Sequence, residues 1–479
     1  MGAFLGWWSD DDHTTAKHQI SDHAGLRRHP VLPRGVARCR GLGGGPAGDD
    51  EDVARLEVAS DAVSAGRPRP WVGGDRVAGT EVLERSLPGL VAWLERSRQQ
   101  GQVHHDDRQR CWQVLGHPEV SAVLADHLTF SSDLGDLMPR QQDLDLFARG
   151  NFVRMDPPRH DRLRGLVSRV FTSRTVAGLA PRIAAVTAEL LDAADERDGD
   201  RLDLIDELAY PLPVIVIAEL LGLPAADRPM FRRWVDDLFD RVDTGPDKSL
   251  PRLAEQTVRE AAPTVREMNT YLLDRIRAAR SRPADDLTSR LVAAEVDGER
   301  LADEEIVGFV GLLLIAGHIT TTATLGNTVL CLDEHPDAAA QVRADRTLLP
   351  AAVEETLRLR TPFPRLARRA AIDAAVGGTV IPAGELVVAW LTAANRDERV
   401  FADPERFDLH RRPNPHLTFG HGIHFCLGAP LARLEANIAL GILLDRYRDI
   451  AVATDPPVRH RDPWTMVGVA RLPLEVRPR

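Results

Sequence analysis

The stretch Phe419-Gly-His-Gly-Ile-His-Phe-Cys-Leu-Gly428 decides the fold of this 479-residue chain. It places a single thiol, Cys426, between glycines and phenylalanines, immediately before an apolar helical run that starts at Ala429. The N-terminus of a helix favours the charged form of a nearby thiol through its dipole and its free backbone N–H groups. The pattern therefore indicates a thiolate that serves as a soft, electron-rich metal ligand.

Two other interpretations of Cys426 compete with this one. A buried, inert cysteine is the ordinary case for a lone cysteine, but it leaves the surrounding glycines at 420, 422 and 428 unexplained. A zinc site is suggested by His416, His421 and His424, although their spacing is not that of a zinc finger. The flanking apolar residues suit a flat apolar cofactor such as haem better, and a thiolate on haem iron favours cleavage of a bound O–O bond.

The composition of the chain argues against several broad functions. The net charge of −11 disfavours non-specific binding to nucleic acid. The four cysteines, at positions 39, 111, 331 and 426, are far apart and form no CxxC pair. We therefore expect no disulfide framework and a reducing, cytoplasmic location. Residues 1–20 show no recognisable secretory signal.

Residues 1–75 differ from the rest of the chain. They are rich in Gly, Arg, Asp and His with little periodicity, which predicts a disordered N-terminal extension before a single domain over residues 76–479. In that domain residues 306–332 contain no Asp, Glu, Lys or Arg, but polar residues at their centre favour a buried helix over a membrane span. Helices are predicted over residues 88–99, 118–126, 155 onward, 176–196, 202–221, 228–242, 253–281 and 304–333, and strands near 112–115, 374–381 and 385–390.

Two short motifs contain charged residues at helical spacing. Glu355 and Arg358 lie three residues apart and can pair on one helix face, and Pro404-Glu-Arg-Phe407 follows them. Asp156-Pro-Pro marks a helix start, after which His160 and Arg164 share one face and can grip a single anionic group. A solvated charged face is the ordinary alternative for either motif.

A third motif lies inside the long apolar helix, at Ala316-Gly-His-Ile-Thr320. Gly317 thins the helix, and the hydroxyl of Thr320 can bond back to the carbonyl of residue 316. Together these features open a groove in the helix. Simple packing of a threonine cluster in a buried helix is the competing explanation.

These motifs together, in this order, resemble the cytochrome P450 family, and the resemblance runs from about residue 80 to the C-terminus. It implies a mainly α-helical, triangular fold with small β-sheets, of the soluble, actinobacterial type. Haem b would lie between the long helix and the helix that follows Cys426. Because the sequence continues for only about fifty residues after Cys426, we expect no fused reductase.

The resemblance also implies a role for each motif residue. Cys426 would be the axial ligand of the haem iron, and Ala316, Gly317 and Thr320 would shape the oxygen site. Ile319 stands where the family usually has an acid, so protons would arrive through Thr320, a water chain, His318 or a substrate hydroxyl. The cofactor-binding residues would be His160, Arg164, Arg368, Phe419, His424, Cys426 and Gly428, and a buried ionic triad would comprise Glu355, Arg358 and Arg406.

The implied reaction is R–H + O₂ + 2e⁻ + 2H⁺ → R–OH + H₂O on a sizeable apolar molecule, with macrolide or polyketide hydroxylation or epoxidation favoured. Electrons would come from a ferredoxin and an NAD(P)H-dependent reductase, and an acidic ferredoxin could dock on Arg162, Arg169 or Arg433. Neither nucleic acid nor membrane is an expected partner. The substrate pocket is predicted to be lined by residues 128–152, 228–253, 362–366 and 464–467 and by Phe309, Val310, Leu313 and Leu314.

Two functional alternatives stay open at this point. One is a P450 that couples phenols or closes rings by one-electron oxidation, for which the missing acid would matter less. The other is a haem-binding protein without oxygenase activity that activates a partner enzyme. The intact Cys426 and Thr320 argue against the second.

Overall fold

The computed structural model describes residues 85–239, 245, 247–296 and 298–479. The predicted extension over residues 1–75 lies outside this range. Helices dominate the described residues, as the sequence predicts. They are α1 (Leu87–Arg98), α2 (His117–Ala125), α3 (Gln142–Ala148), α4 (Arg159–Val170), α5 (Ser173–Gly178), α6 (Ala180–Arg197), α7 (Pro211–Leu221), α8 (Arg228–Phe239), α9 (Leu250–Ser281), α10 (Leu287–Ala293), α11 (Asp303–Glu334), α12 (Pro336–Ala344), α13 (Leu349–Leu359), α14 (Leu391–Ala394) and α15 (Ala429–Arg446).

The strands form small sheets at the margins of the helical core. They are β1 (Val103–Asp106), β2 (Cys111–Val114), β3 (Phe130–Ser131), β4 (Arg201–Asp203), β5 (Glu295–Val296), β6 (Glu299–Arg300), β7 (Arg365–Ala370), β8 (Ala374–Val376), β9 (Thr379–Ile381), β10 (Leu386–Trp390), β11 (Tyr447–Val452), β12 (Arg459–His460), β13 (Val469–Arg471) and β14 (Pro473–Pro478). The largest has the order β1-β2-β10-β7-β3, with β2 and β10 parallel and the other pairs antiparallel. In its centre Arg368 of β7 pairs with Val387 of β10.

Helix α11 is the central element of the core. It packs against α3, α7, α9, α13 and α15. Because its middle is free of charged residues, it can bury side chains on nearly every face. It is long and apolar enough to cross a membrane, but 78% of its most apolar window is buried inside the protein, which makes it a core helix. It starts at Asp303, and the Glu305 carboxylate accepts a hydrogen bond from the Ala302 N–H at 3.0 Å.

Three predicted helices are wrong in outline. The helix predicted over residues 176–196 is divided at Leu179 into α5 and α6. The segment 202–221 is not one helix, because Leu202 pairs with Leu474 in a strand, a π-helical turn follows over Ile205–Ala209, and only then does α7 begin. The helix predicted from residue 155 begins at Arg159. Its preceding residue Asp156 is instead tied back to the chain, accepting hydrogen bonds from the Ser131 hydroxyl at 2.5 Å and the Ser132 N–H at 3.0 Å.

Candidate active site

The loop that carries Cys426 is folded tightly against α2 and the start of α15. Gly420 and Gly422 both adopt positive φ, at 73° and 71°, which side chains disfavour. A Cβ on Gly422 would also lie 2.6 Å from the carbonyl oxygen of Leu124. The Cys426 N–H donates to the carbonyl of Phe419 at 2.8 Å, and this bond closes the loop.

The surroundings of Cys426 act on its thiol in opposite directions. Its side chain is solvent-accessible, yet the protein packed around it raises the pKa of the thiol by desolvation. Hydrogen bonds from the Gly428 and Ala429 N–H groups, followed by the charges of Arg164 and Arg433, lower that pKa. Desolvation is the larger effect and raises the pKa of the free thiol overall, so a thiolate at this position depends on a bound metal ion, and the backbone donors and the two guanidinium groups only reduce its cost.

One face of α11 stays open while the rest of the helix is buried. Leu313, Ala316, Gly317 and Thr320 are partly accessible, and their spacing of three and four residues places them on a single face. The Thr320 hydroxyl donates to the Ala316 carbonyl at 3.0 Å. That bond is the one the sequence predicts at this position, and it engages the carbonyl on the open face.

Ile319 and His318 lie on other faces of α11. Both are fully buried. His318 hydrogen-bonds through Nδ1 to the Leu314 carbonyl at 2.6 Å, and desolvation lowers its pKa to about 4. The ring of Tyr210 packs edge-on against it at 5.4 Å. His318 is therefore a neutral imidazole at pH 7, and its Nε2 has no partner within the described chain.

The residues predicted to grip an anion do come together. The rings of His160 and His424 are 4.5 Å apart, and Arg164 donates to the Phe425 carbonyl at 2.5 Å. Desolvation, followed by the charges of Arg368, His160 and Arg164, lowers the pKa of His424 to about 2. Burial lowers the pKa of Arg368 to about 10. The cluster is thus strongly electropositive.

This cluster fits the two carboxylates of a haem. His160 Nε2 and both ring nitrogens of His424 are buried and have no partner among the residues the structure describes. A neutral His424 ring has one N–H to donate, whereas His160 already pairs through Nδ1 with the Asp161 carboxylate at 2.8 Å, so its Nε2 donates only when that ring is protonated. A buried donor without a partner is costly, so the His424 N–H and the guanidinium groups of Arg164 and Arg368 suit an acceptor. An anionic acceptor would also balance the surplus of positive charge.

A buried ionic network supports the chain between α14 and the Cys426 loop. Glu355 and Arg358, both with 0% exposure, are joined by bonds of 2.8 and 2.9 Å. Arg358 also donates to the carbonyls of Asn395 and Pro404 at 2.9 and 2.6 Å. Burial would raise the pKa of Glu355, but its hydrogen bonds and charge pairing with Arg358 and Arg411 lower it overall.

The third member of this network is Arg411, and the prediction of Arg406 was wrong. Arg411 Nε donates to the Glu355 carboxylate at 2.9 Å. Arg406 is exposed and contributes only its backbone carbonyl, which accepts from Arg358 at 3.0 Å and from Arg411 at 3.1 Å. The Pro404–Phe407 turn points its arginine side chain outward, so an arginine five residues later fills the buried position.

Several segments predicted to line the substrate pocket are adjacent. The Val467 N–H donates to the Pro362 carbonyl at 2.9 Å, which joins the late loop to the turn after α13. Phe363 of that turn lies 6.3 Å from Phe239 at the end of α8. Leu313 shares the open face of α11, whereas Phe309, Val310 and Leu314 are at most 1% exposed.

Two of the three arginines expected to receive a ferredoxin are paired within the chain. Arg433 donates to Glu354 at 2.6 and 2.8 Å and lies 4.3 Å from the Phe419 ring, and Arg162 is 3.7 Å from Glu305. The side chain of Arg169 is outside the described atoms. The pairing reduces the positive charge that Arg433 and Arg162 present to a partner.

Sequence reasoning missed two buried charged residues near the site. Glu435 on α15 is 1% exposed, and burial raises the pKa of its carboxyl to about 8 although Thr321 of α11 donates a hydrogen bond to it. Arg154, also 1% exposed, ends a 3-10 turn just before α4. The helical position of Glu435 could have been read from the sequence, but its burial depends on the packing of α15 against α11.

The site combines a cysteine just before a helix, a partly accessible face on the core helix that packs against that helix, and buried polar groups beside Arg164 and Arg368. This combination suits a haem-thiolate oxidoreductase. The family comparison agrees: residues 105–477 match the family model described as Cytochrome P450. The chain belongs to the cytochrome P450 family and has its fold. As a member, it is an oxygen-incorporating oxidoreductase with haem b as cofactor.

Curated relatives and solved structures agree over most of the chain. It is 45% identical to cyclomarin C epoxidase CymV of Salinispora arenicola, over 81% of this chain and 96% of the relative. It is 43% identical to the erythromycin C-12 hydroxylase of Saccharopolyspora erythraea, over 80% and 94%. Among solved structures, a mutant of P450 EryK in complex with erythromycin B matches at 42% identity and a TM-score of 0.73, over 81% of this chain and 96% of that one.

Proposed function

We propose that this chain is a haem-thiolate monooxygenase that hydroxylates or epoxidises a sizeable apolar natural product, with a macrolide or polyketide favoured. The observation that carries the substrate class is the similarity to relatives named for cyclomarin C epoxidation and erythromycin C-12 hydroxylation. The bond between Val467 and Pro362 and the aromatic pair of Phe239 and Phe363 bring apolar side chains of separate segments together, which suits such a molecule. The working location is cytoplasmic.

In this proposal Cys426 would ligate the haem iron through its sulfur. The Gly428 and Ala429 N–H groups would partly offset the desolvation of its thiolate, and the Phe419 carbonyl closes the loop. His160, Arg164, Arg368 and His424 hold the haem carboxylates. When bound, haem supplies the activation of dioxygen, which the protein side chains do not provide.

Ala316, Gly317 and Thr320 would shape the site that receives dioxygen. The Thr320 hydroxyl lies on the partly accessible face of α11, where it can donate a proton. Ile319 has no proton to give, and the neutral His318 faces Tyr210. We therefore assign to Thr320 the role of the side chain that donates the proton at the oxygen site.

Electrons come from a ferredoxin and an NAD(P)H-dependent reductase in this proposal. P450 monooxygenases of this kind generally use redox partners. The ferredoxin docks near the Cys426 loop. Arg162 and Arg433 are paired with carboxylates of the chain itself. The electrostatic attraction of the ferredoxin therefore depends more on the summed charges of the surface around the Cys426 loop than on either arginine.

Oxidative coupling without oxygen insertion is the second candidate, and the buried Ile319 in place of an acid favours it. Turnover under ¹⁸O₂ with a macrolide or polyketide substrate separates the two. Monooxygenation places one labelled atom in the product and one in water. A coupled or ring-closed product without label would overturn the proposed reaction while leaving the family unchanged.

A further inference from the structure

Arg154 is a buried cation with too few partners. Only 1% of the residue is exposed, and its Nη1 donates to the Ser132 carbonyl at 3.0 Å. Its Nε and Nη2 have no hydrogen-bond partner in the part of the chain that the structure describes. Guanidinium groups stay charged at any ordinary pH, so a buried one needs an anionic or at least a polar partner for each N–H.

A second arginine makes the charge imbalance larger. Burial, followed by the charge of Arg368, lowers the pKa of Arg154 well below its usual range, and Asp133 opposes this only in part. Arg368 is 6% exposed, and its Nη1 donates to the carbonyl of the preceding Ala367 at 2.8 Å. The hydroxyl of Ser132 is a further buried group without a partner among the described residues.

The nearby carboxylates already accept other donors. Asp133 accepts from the Gly135 N–H at 2.8 Å. Asp156 accepts from the Ser131 hydroxyl at 2.5 Å and from the Ser132 N–H at 3.0 Å. Within the described residues neither carboxylate forms an ion pair with Arg154 or Arg368. Two guanidinium groups and a hydroxyl thus remain for an outside acceptor, and planar guanidinium groups match a carboxylate best.

The position of Arg154 connects it with the histidine cluster. It ends the turn Phe152–Arg154, and the Phe152 ring lies 6.1 Å from the His160 ring. His160 in turn lies 4.5 Å from His424. Phe152, two residues before Arg154, thus contacts the histidine cluster, and the Arg154 side chain is close enough to Arg368 for their charges to interact.

We propose that Arg154, together with Arg368 and the Ser132 hydroxyl, binds a carboxylate, and that this carboxylate is a haem propionate. The inference rests on the proposed haem site and adds a residue to it that lies outside α4 and the Cys426 loop. A carboxylate on the substrate has the same chemistry. The experiment must therefore separate these two sources.

The experiment compares haem loss from the purified holoenzyme and from three variants, measured as transfer of haem to excess apomyoglobin. Arg154→Gln is expected to lose haem at least about tenfold faster than the parent, because a charge-assisted hydrogen bond is removed. Arg154→Lys keeps the charge and should lose haem more slowly than Arg154→Gln. Arg369→Gln is the matched control, since Arg369 adjoins Arg368 but donates to the Asp133 carbonyl at 3.2 Å, and it should match the parent.

Three results would overturn the inference. Parental haem loss in Arg154→Gln would show that the propionate is held without Arg154. Equal haem loss in the Gln and Lys variants would show that the charge is irrelevant and that any effect arises from packing. Haem loss from Arg369→Gln that is as fast as from Arg154→Gln would show that the effect is not specific to Arg154.

A second measurement identifies the source of the carboxylate. Decanoate and decanol are titrated into the parent and into Arg154→Gln, with the haem spectrum as the readout. If Arg154 binds a haem propionate, the parent and Arg154→Gln are expected to bind decanoate with equal affinity. If Arg154→Gln binds decanoate more weakly but decanol as well as the parent does, and releases haem at the parental rate, Arg154 binds a substrate carboxylate. That result would overturn the assignment to a haem propionate. A thiolate-type spectrum in Arg154→Gln would keep the proposed function intact in either case.

Discussion

Thr320 and Ile319 are neighbours on α11 with different surroundings. Thr320 lies on the open face and bonds to the Ala316 carbonyl at 3.0 Å, whereas Ile319 is buried. In the proposed mechanism there is no acid at position 319, so proton delivery depends more on the Thr320 hydroxyl than it would beside a carboxylate. In the proposed mechanism these two residues therefore determine the fraction of consumed electrons that leads to product.

Thr320→Ala is expected to uncouple electron use from product formation. Removing the hydroxyl should lower product per NAD(P)H by at least about tenfold, since a positioned general acid typically contributes about 10²–10⁴-fold. The measurement is the ratio of product to NAD(P)H consumed, with peroxide quantified in parallel. Thr328→Ala serves as control because it removes an equivalent bond, 2.7 Å to the Thr324 carbonyl, two turns further along. Unchanged coupling in Thr320→Ala would exclude Thr320 as the proton-holding residue.

Glu435 makes the stability of the protein depend on pH. Burial raises the pKa of its carboxyl from 4.5 to about 8, so the folded protein keeps a proton that the unfolded chain releases. The folded state therefore binds more protons between these two values, and stability falls as pH rises through that window. The loss of stability from ionising the buried Glu435 carboxyl is absent below pH 4.5 and complete above pH 8.

Glu435→Gln should remove this dependence while keeping a side chain that can pair with Thr321. We expect the variant to be more stable than the parent at pH 7.5 by roughly a few kcal/mol and equally stable near pH 4.5. Apparent melting temperatures across this range give the comparison. Glu475→Gln, at an exposed position of β14, is the control. A constant difference between parent and Glu435→Gln at every pH would show that Glu435 does not titrate in this window.

At the scale of elements, the ionic network joins α13 to the irregular chain before the Cys426 loop. Glu355 accepts from Arg358 and Arg411, and also from the Asp408 N–H at 3.1 Å and the Asn414 amide at 3.1 Å. These bonds replace the regular hydrogen bonding that this segment lacks. The network therefore fixes the path of the chain into the haem-binding loop.

Arg411→Ala should destabilise the protein by about 3–5 kcal/mol, because it leaves the buried Glu355 carboxylate short of a positive partner. Arg406→Ala is the matched control and should change stability by no more than about 0.5 kcal/mol, since only the backbone of Arg406 takes part. Urea unfolding of the haem-loaded proteins measures both. An equal loss in the two variants, or a larger one in Arg406→Ala, would contradict the assignment of Arg411.

Elements with a strong local signal were predictable, and those that depend on distant partners were not. The charge-free segment 306–332 becomes α11 with bounds close to prediction. In contrast, Leu202 is a strand residue only because it pairs with Leu474, a partner that local periodicity does not reveal. Arg406 and Arg411 cannot be told apart by pattern, since both lie in a segment without regular structure and only its path decides which one is buried.

At the scale of the whole molecule, the fold brings motifs that are far apart in sequence to one site. His160 follows a turn before α4 and His424 precedes Cys426, yet their rings are 4.5 Å apart. The family and fold were predictable because each motif has its own local chemistry and the motifs keep a fixed order. Unpartnered groups such as Arg154 were not predictable, because their isolation is a property of packing.

The central claim is that Cys426 ligates haem iron as a thiolate. The direct measurement is the absorption spectrum of the purified protein after reduction with dithionite and exposure to carbon monoxide. We predict a strongly red-shifted Soret band that is lost in Cys426→Ala and kept in Cys111→Ala, where a buried cysteine of β2 is removed. A band at the ordinary haem-protein position, or stoichiometric zinc without haem, would contradict the account.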